Sequence, residues 1–367
     1  MAIPKIVITG GPCAGKSTGM ATLVERLSDY GFRVFVVPEV PTFLFASGLT
    51  PGKMKNATQL YLLEKMIVAT QIYLEKSIEK TAAEIYPRDK KIILCDRGVM
   101  DHRAYFPSEE HWIQLLKEQK YNFVNLRDCY VSVVHLVTAA LGAEKFYTLG
   151  NNPARTETLA QAVAIDRKTR ECWLGHPHFK IIDNSTDFDG KIRRVLSAVC
   201  KALDILAPTE IERKFLVASI DFNRMPPYQK IHIEQIYLKS DNPAKELRIR
   251  KRGQDGSFLY FFTEKWETDD PRERGEKERI IGLRQFLEMQ SQRDPDKTTI
   301  KKDRICFLWK DQYFELDIYK SPGLSGLIIL KIELTEKSED VMLPPFITIE
   351  KEVTGDKRYY NNNLAKK

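Results

Sequence analysis

The chain is poor in the features that mark several large protein classes. Its 367 residues hold 6 Cys and 6 His. The cysteines (Cys13, Cys95, Cys129, Cys172, Cys200, Cys306) form no CxxC pair. This spacing argues against a zinc ribbon or a disulfide framework, and it points to a reducing compartment. Long apolar runs are also missing. The longest, residues 130–142, falls well short of the ~20 residues that span a bilayer, so no transmembrane segment is expected and any membrane contact is peripheral. The chain runs at once into a strand and a turn, which leaves no room for a signal peptide, and Met1-Ala2 is not a myristoylation start. A cytoplasmic protein, with peripheral membrane contact as a variant, is the expectation. A strong excess of one charge is lacking too. The formal net charge is +7, and residues 1–207 hold 27 Lys and Arg against 22 Asp and Glu. Neither half is basic enough to demand nucleic acid, whereas a mild positive excess suits small anionic ligands. With 43% hydrophobic and 29% charged residues, the chain has a globular composition and length enough for two domains.

The texture changes once, near Pro208. Before it, β-branched runs at 5–9, 33–38, 91–95, 130–137 and 179–182 alternate with helix-period stretches at 18–30, 57–85 and 190–206. Such alternation predicts an α/β domain over 1–206 with a mostly parallel sheet covered on both faces. After it, alternating or aromatic-rich runs at 211–217, 231–238, 246–251, 258–265, 305–309, 313–319 and 327–334 are separated by polar turns. They predict an antiparallel β domain over 208–367, closed into a barrel or tunnel. The charged stretches 267–279 and 293–304 are expected to be loops or helix edges.

Near the start the chain reads KIVITGGPCAGKST. Gly10, Gly15, Lys16 and Ser17 complete GxxxxGK[ST], with a strand before and a helix after. In that setting the backbone N–H groups of Gly10, Gly11, Pro12-Cys13-Ala14, Gly15 and beyond converge on a β-phosphate (Pro12 itself lacks one), the two outer glycines permit the close approach, Lys16 reaches the β/γ oxygens, and Ser17 can hold Mg²⁺. Thr18 continues the loop into the helix, whose N-terminus favours the same anion. A nucleotide-binding site is therefore expected over Gly10–Thr18.

Ligands in open α/β sheets sit beyond the carboxyl ends of the strands. Glu39 ends VVPEV and Asp96-Arg97 ends IILCDRG, followed by Asp101. Asp96 could assist Mg²⁺ and Glu39 could accept a proton from a substrate hydroxyl; a loop cap for Glu39 and a structural ion pair for Arg97 are the alternatives. Arg155, Arg167 and Arg170 lie in a helical stretch that could close over phosphates as a lid or be a solvated face. His176 and His178 lack metal-ligand partners in their spacing and read as loop or base-stacking residues.

At the midpoint the chain reads TEIERKFLV. Glu210, Glu212 and Lys214 alternate, so on a strand they share one side. Two inward carboxylates are costly to bury without a cation. Basic residues recur at the same period: Arg248, Arg250 and Arg252, then Lys265, then Lys302 and Arg304. Asp317, Glu315, Glu333 and Glu352 add acids. A lining of both signs suits a phosphate chain bridged by Mg²⁺ or Mn²⁺, with the bases on phosphates and Glu210, Glu212, Asp317 and Glu333 on the metal.

The first half resembles P-loop kinase-like domains of the NadR and AAA_28 type, and more distantly the deoxynucleoside kinases, through GGPCAGKST, VVPEV, CDRGVMD and the HPHF-to-IIDNS stretch. The resemblance implies a kinase-like strand order and a mononucleotide site. No [NT]KxD guanine motif is present. The second half resembles the CYTH, or triphosphate tunnel, fold through ExExK, RxRxR, TxK, LDxY and EVTGDxRYxN. It departs from that pattern at Lys331-Ile332-Glu333, where the family commonly has an acidic ExE pair, and this puts hydrolysis in doubt more than anion binding. In this order the two halves resemble the TRPL translocation defect protein family. That resemblance implies a purine nucleoside triphosphate, GTP in particular, at the first site, a phosphoinositide or other polyphosphate at the second, and a regulatory role in membrane-protein trafficking. A P-loop small-molecule or nucleoside kinase, or a metal-dependent triphosphatase acting in the tunnel, are the enzymatic alternatives.

Overall fold

The structure, a computed structural model, describes residues 3–147, 158–205, 209–242, 244–267, 273–335 and 340–367. It divides into two units, Met1–Cys200 and Lys201–Lys367.

The first unit is built on five short strands, β1 (Lys5–Gly10), β2 (Arg33–Val37), β3 (Lys91–Asp96), β4 (Ser132–Leu136) and β5 (Phe179–Ile182). They pair in the order β2-β3-β1-β4-β5, every pair parallel. Ile6, Val7, Ile8, Ile92–Cys95, Val133 and Val134 are all fully buried. Consecutive strand residues point to opposite faces, so a run buried throughout means that helices cover both. Those helices are α1 (Lys16–Asp29), α2 (Val40–Ala46), α3 (Ala57–Ile85), α4 (Glu109–Gln119), α5 (Phe123–Asp128), α6 (Leu159–Cys172) and α7 (Phe188–Ala202). The long α3 starts where the Asn56 side chain accepts the Gln59 N–H at 2.9 Å, an N-cap. Its apolar stripe, Leu63 and Ile67, packs on Val40 and Leu44 of α2.

The second unit is antiparallel. Its strands are β6 (Thr209–Ile220), β7 (Tyr228–Leu238), β8 (Lys245–Gln254), β9 (Ser257–Glu267), β10 (Glu273–Ile281), β11 (Ile300–Trp309), β12 (Gln312–Tyr319), β13 (Ile328–Leu334) and β14 (Ile347–Glu352). Two short helices, α8 (Leu283–Met289) and α9 (Asn361–Leu364), accompany them. The order is β10-β9-β8-β7-β11-β12-β13-β6-β14, and β10 also pairs with β6. Alternation gives the sheet two unlike faces. One is apolar: Phe215, Phe307, Phe314, Leu316, Leu330, Ile332 and Phe346 form a single cluster. The other carries the charges.

Two expectations fail here. The stretch 267–279 is not a loop or helix edge over its second part, because β10 begins at Glu273, and the stretch 293–304 runs into β11 at Ile300. In both, charge density hid a strand. Glu276 and Glu278 of β10 face arginines and a lysine on β8 and β9, so partners distant in sequence make charged strand positions tolerable.

Candidate functional site

Two places gather the residues that the sequence singles out. In the first unit β1 ends at Gly10 and α1 begins at Lys16. Gly10 and Gly15 have φ of 152° and 88°. A Cβ on Gly10 would stand 2.3 Å from the Leu136 carbonyl oxygen, and one on Gly15 2.6 Å from the Phe188 ring. Both positions therefore require glycine. Cys13 also has positive φ, 55°. The loop is held from behind. The Asp166 Oδ1 accepts the N–H groups of Gly11 and Thr138, each at 3.0 Å, and meets His135 Nε2 at 3.0 Å. Arg170 Nε lies 3.0 Å from its Oδ2. Burial alone would raise Asp166; His135 and Arg170 outweigh it and hold the carboxyl down at about 2. Arg170 thus serves the loop from behind and is not a lid residue, a correction to one of the alternatives above. Arg167 is exposed, and Arg155 lies outside the described residues.

The Lys16 ammonium folds back toward the carbonyls of Gly10 and Gly11, at 3.4 and 3.5 Å. Burial, helped by nearby Arg97, lowers it to about 8. Ser17 and Thr18 are exposed at the helix start. Cys13, Ala14, Gly15, Lys16, Ser17 and Thr18 form one wall of a cavity of about 630 Å³, a volume that suits a nucleotide. Phe146, Asn184, Asp187, Phe188 and Lys191 form the far wall. Lys191 donates to Val137 O at 2.6 Å and to Asn184 Oδ1 at 2.7 Å, and burial lowers it to about 8. Sequence reasoning passed over Asp166, Lys191 and the two phenylalanines, because each reaches the loop from a distant helix or turn.

Glu39, Arg97 and Asp96 do come together. Arg97 donates from Nε to Glu39 Oε1 at 2.6 Å and from Nη1 to Gly10 O at 3.2 Å. Thr42 donates to Glu39 Oε2 at 2.6 Å. Burial would raise Glu39, but Arg97 and then Lys16 dominate and bring it to about 2. Asp96 shifts the other way: burial raises it, and its buried Oδ1 has no hydrogen-bond partner. Asp101 is structural, accepting Thr9 Oγ1 at 2.6 Å, Trp173 Nε1 at 2.8 Å and the Gly98 N–H at 2.8 Å. His176 is likewise satisfied, between Tyr130 O and the His178 N–H, each at 3.1 Å.

Glu64 of α3 is buried, and its Oε2 has no hydrogen-bond partner. Burial raises it to about 8. Its folded value exceeds the unfolded one, so the folded state binds the extra proton and stability falls as pH rises from about 4.5 to 8. Glu64→Gln is expected to be nearly neutral at pH 5 and to stabilise the first unit by about 2–4 kcal/mol at pH 8. Denaturation midpoints at the two pH values check this, and an equal effect at both contradicts it.

In the second unit, strand register places the basic residues on one face. Arg248, Arg250 and Arg252 of β8 lie opposite Tyr237, Gln235 and Ile233 of β7, and Lys302 and Arg304 of β11 lie opposite Tyr319 and Asp317 of β12. All five are buried, as are Lys214 and Lys265. Buried cations need partners. Arg248 and Lys265 share Glu276, at 3.0 and 2.5 Å. Arg250 meets Glu278 at 2.6 Å, and Thr263 donates to the same carboxylate at 2.6 Å. Lys302 Nζ lies 2.6 Å from Asp317 Oδ2, and Arg304 grips both Asp317 oxygens at 2.7 and 2.9 Å while also pairing with Glu315. Burial would raise Asp317, but Arg304 and Lys302 hold it well below the usual carboxylate range. Lys214 pairs with Glu212 and lies 4.8 Å from the Tyr360 ring centroid.

The four acids expected at a metal fare differently. Glu212 and Asp317 face inward with these cations. Glu333 is exposed on β13. Glu210 lies in β6 opposite Arg274 of β10, and its side chain is outside the described residues. Glu276 and Glu278 were missed, although their period-two spacing in GEKERII was the signal that could have found them.

Comparison with known proteins agrees with this division. Residues 5–191 match the AAA_28 family, described as an AAA domain, and residues 208–362 match the CYTH domain. An inorganic triphosphatase of Nitrosomonas europaea is 35% identical over 159 residues, which is 43% of this chain and 97% of that protein. An inorganic triphosphatase of Acetivibrio thermocellus is 30% identical over 158 residues, 43% of this chain and 93% of that protein. A solved inorganic triphosphatase structure is 31% identical, covers 42% of this chain and 93% of its own, and superposes with a TM-score of 0.31. The chain belongs to the AAA_28 family through its P-loop unit and, through its second unit, to the CYTH-domain proteins to which these bacterial triphosphatases are related.

Proposed function

We propose that the protein binds two phosphorylated ligands at separate sites: a nucleoside triphosphate with Mg²⁺ on the P-loop, and a triphosphate-type polyanion on the charged face of the CYTH unit. One observation carries this reading. Each unit brings cations from several segments to one surface, and in each the geometry suits clustered phosphates. On the P-loop, Ser17 and Asp96, whose buried Oδ1 has no hydrogen-bond partner, supply the hard oxygens that would hold Mg²⁺. When bound, that ion would neutralise β/γ charge. Lys16 and the loop N–H groups bind the phosphates, and Asp166 keeps the loop in shape for them. In the second unit we read the β10–β6 pairing as the closure of a tunnel, with the buried arginines and lysines as its phosphate ligands.

A narrower form names the ligands as GTP and a phosphoinositide headgroup, with a role in membrane-protein trafficking, following the resemblance to the TRPL translocation defect family. No helix among the described residues is long and apolar enough to cross a membrane, so this form needs a peripheral contact. Liposome flotation tests it: absence of enrichment on phosphoinositide vesicles at ~0.1 M salt, where the Debye length is about 10 Å, would exclude the lipid and leave the two-site reading intact. A second reading, phosphoryl transfer on the P-loop, is favoured by Asp96, whose raised pKa suits a proton acceptor better than the ion-paired Glu39. Phosphate release from ATP or GTP that is lost in Asp96→Asn and retained in Glu39→Gln would support it.

A further inference from the structure

The charged face of the second unit is arranged around one lysine. Lys331 of β13 lies opposite Glu315 of β12 and Lys214 of β6. Its Nζ is 4.0 Å from Glu212 Oε2 and 3.8 Å from Asp317 Oδ2. Those carboxylates come from the strands on either side of β13, so the ammonium occupies the gap between them. A divalent cation bridging the same two oxygens would need ligand distances of about 2.0–2.1 Å for Mg²⁺. It would then stand in contact with an ammonium of like charge. Asp317 is further committed, because Lys302 and Arg304 take both of its oxygens. Among the described residues no three His, Cys, Asp or Glu side chains gather as a metal site. The gap between Glu212 and Asp317, filled by Lys331, therefore does not fit a resident metal.

We infer that this face binds its polyanion without a metal, Lys331 supplying between Glu212 and Asp317 the positive charge that a divalent cation would otherwise bring. The inference rests on the reading of the second unit as a polyphosphate site. Phosphate oxygens entering the face would be held by its ammonium and guanidinium groups, with no metal between. Together with Lys214, Lys302 and Arg304, Lys331 offsets the two carboxylates that would otherwise repel an incoming phosphate, which is the electrostatic part of a bridging metal's work. It does not do the rest. An ammonium offers no open coordination position and does not turn a bound water into hydroxide. The face is thereby a binding site that retains its ligand, and the bond between phosphates stays intact.

The test is calorimetric titration of the full-length chain with sodium tripolyphosphate, in EDTA and in excess Mg²⁺. It is run in a Lys16→Ala background so that the P-loop does not contribute. Binding in EDTA at least as tight as in Mg²⁺ is the expected result. Lys331→Met should weaken EDTA binding about tenfold or more, and Lys331→Arg should keep it. Lys331→Glu should lose EDTA binding and recover it with Mg²⁺, having gained a carboxylate in the gap. Binding that requires Mg²⁺ in the parent would overturn the inference alone, and that comparison needs no variant at position 331. Lys331→Met binding as tightly as the parent in EDTA would overturn it too. No binding in either buffer, by a parent that still melts cooperatively, would overturn it together with the reading of the second unit.

Discussion

Asp317→Ala is expected to destabilise the second unit by about 3–5 kcal/mol, the range for removing one partner of a buried ion pair. The substitution deletes a small side chain, so lost packing is minor. What it leaves behind is costly. Lys302 and Arg304 are buried against Asp317, and Lys331 lies 3.8 Å from it. Without the carboxylate, three cations face one another in a space with little water. A unit of this size shifts its melting point by about 2–4 °C per kcal/mol, so calorimetry should show its transition about 6–20 °C lower, while that of the first unit stays in place. Adding tripolyphosphate should restore more of the loss than it adds to the wild type, because an anion that binds the folded state stabilises it by mass action and the variant offers more unneutralised charge. A shift within about 2 °C would contradict the description of Asp317 as the anchor of this face.

Lys16→Ala is expected to weaken nucleoside triphosphate binding about a hundredfold or more, which corresponds to about 3 kcal/mol of charge-assisted contact. The wild type should also show a stronger pH dependence than the variant. Burial and Arg97 lower Lys16 to about 8 in the free protein. A bound polyphosphate favours the ammonium and raises that value again. Binding should therefore take up protons above pH 8, and affinity should fall as pH rises through that region. Calorimetry in buffers of different ionisation enthalpy measures the uptake. Lys191, lowered to about 8 in the same cavity, contributes in the same direction, so Lys16→Ala should reduce the uptake and leave a remainder. Release of protons on binding would contradict the description.

The P-loop was legible because its chemistry is contiguous: one strand, one turn and one helix carry it, and the glycines that the turn requires are written in order. The charged face was legible in part. Arg248, Arg250 and Arg252 announce themselves through period two, which register turns into a shared face. Glu276 and Glu278 alternate in the same way, yet Lys277 and Arg279 beside them make the segment charged on both sides. Only the ion pairs to β8 and β9 explain why it is a strand. Asp166 was invisible for a related reason. It sits mid-helix with no motif around it, and it matters because α6 brings it to the Gly11 N–H. Lys331 was visible as a departure from a pattern, but its place between two carboxylates is a property of three neighbouring strands.

The independence of the two phosphate sites is what the proposed function turns on. It is tested most directly by titrating wild type, Lys16→Ala and the double variant Arg248→Gln/Arg250→Gln with a non-hydrolysable nucleoside triphosphate in Mg²⁺ and, separately, with tripolyphosphate. The result expected is crosswise: nucleotide binding lost only in Lys16→Ala, and tripolyphosphate binding retained in Lys16→Ala but lost in the double arginine variant. Loss of both ligands in Lys16→Ala, with the double variant binding like the wild type, would place all phosphate binding on the P-loop and contradict the account.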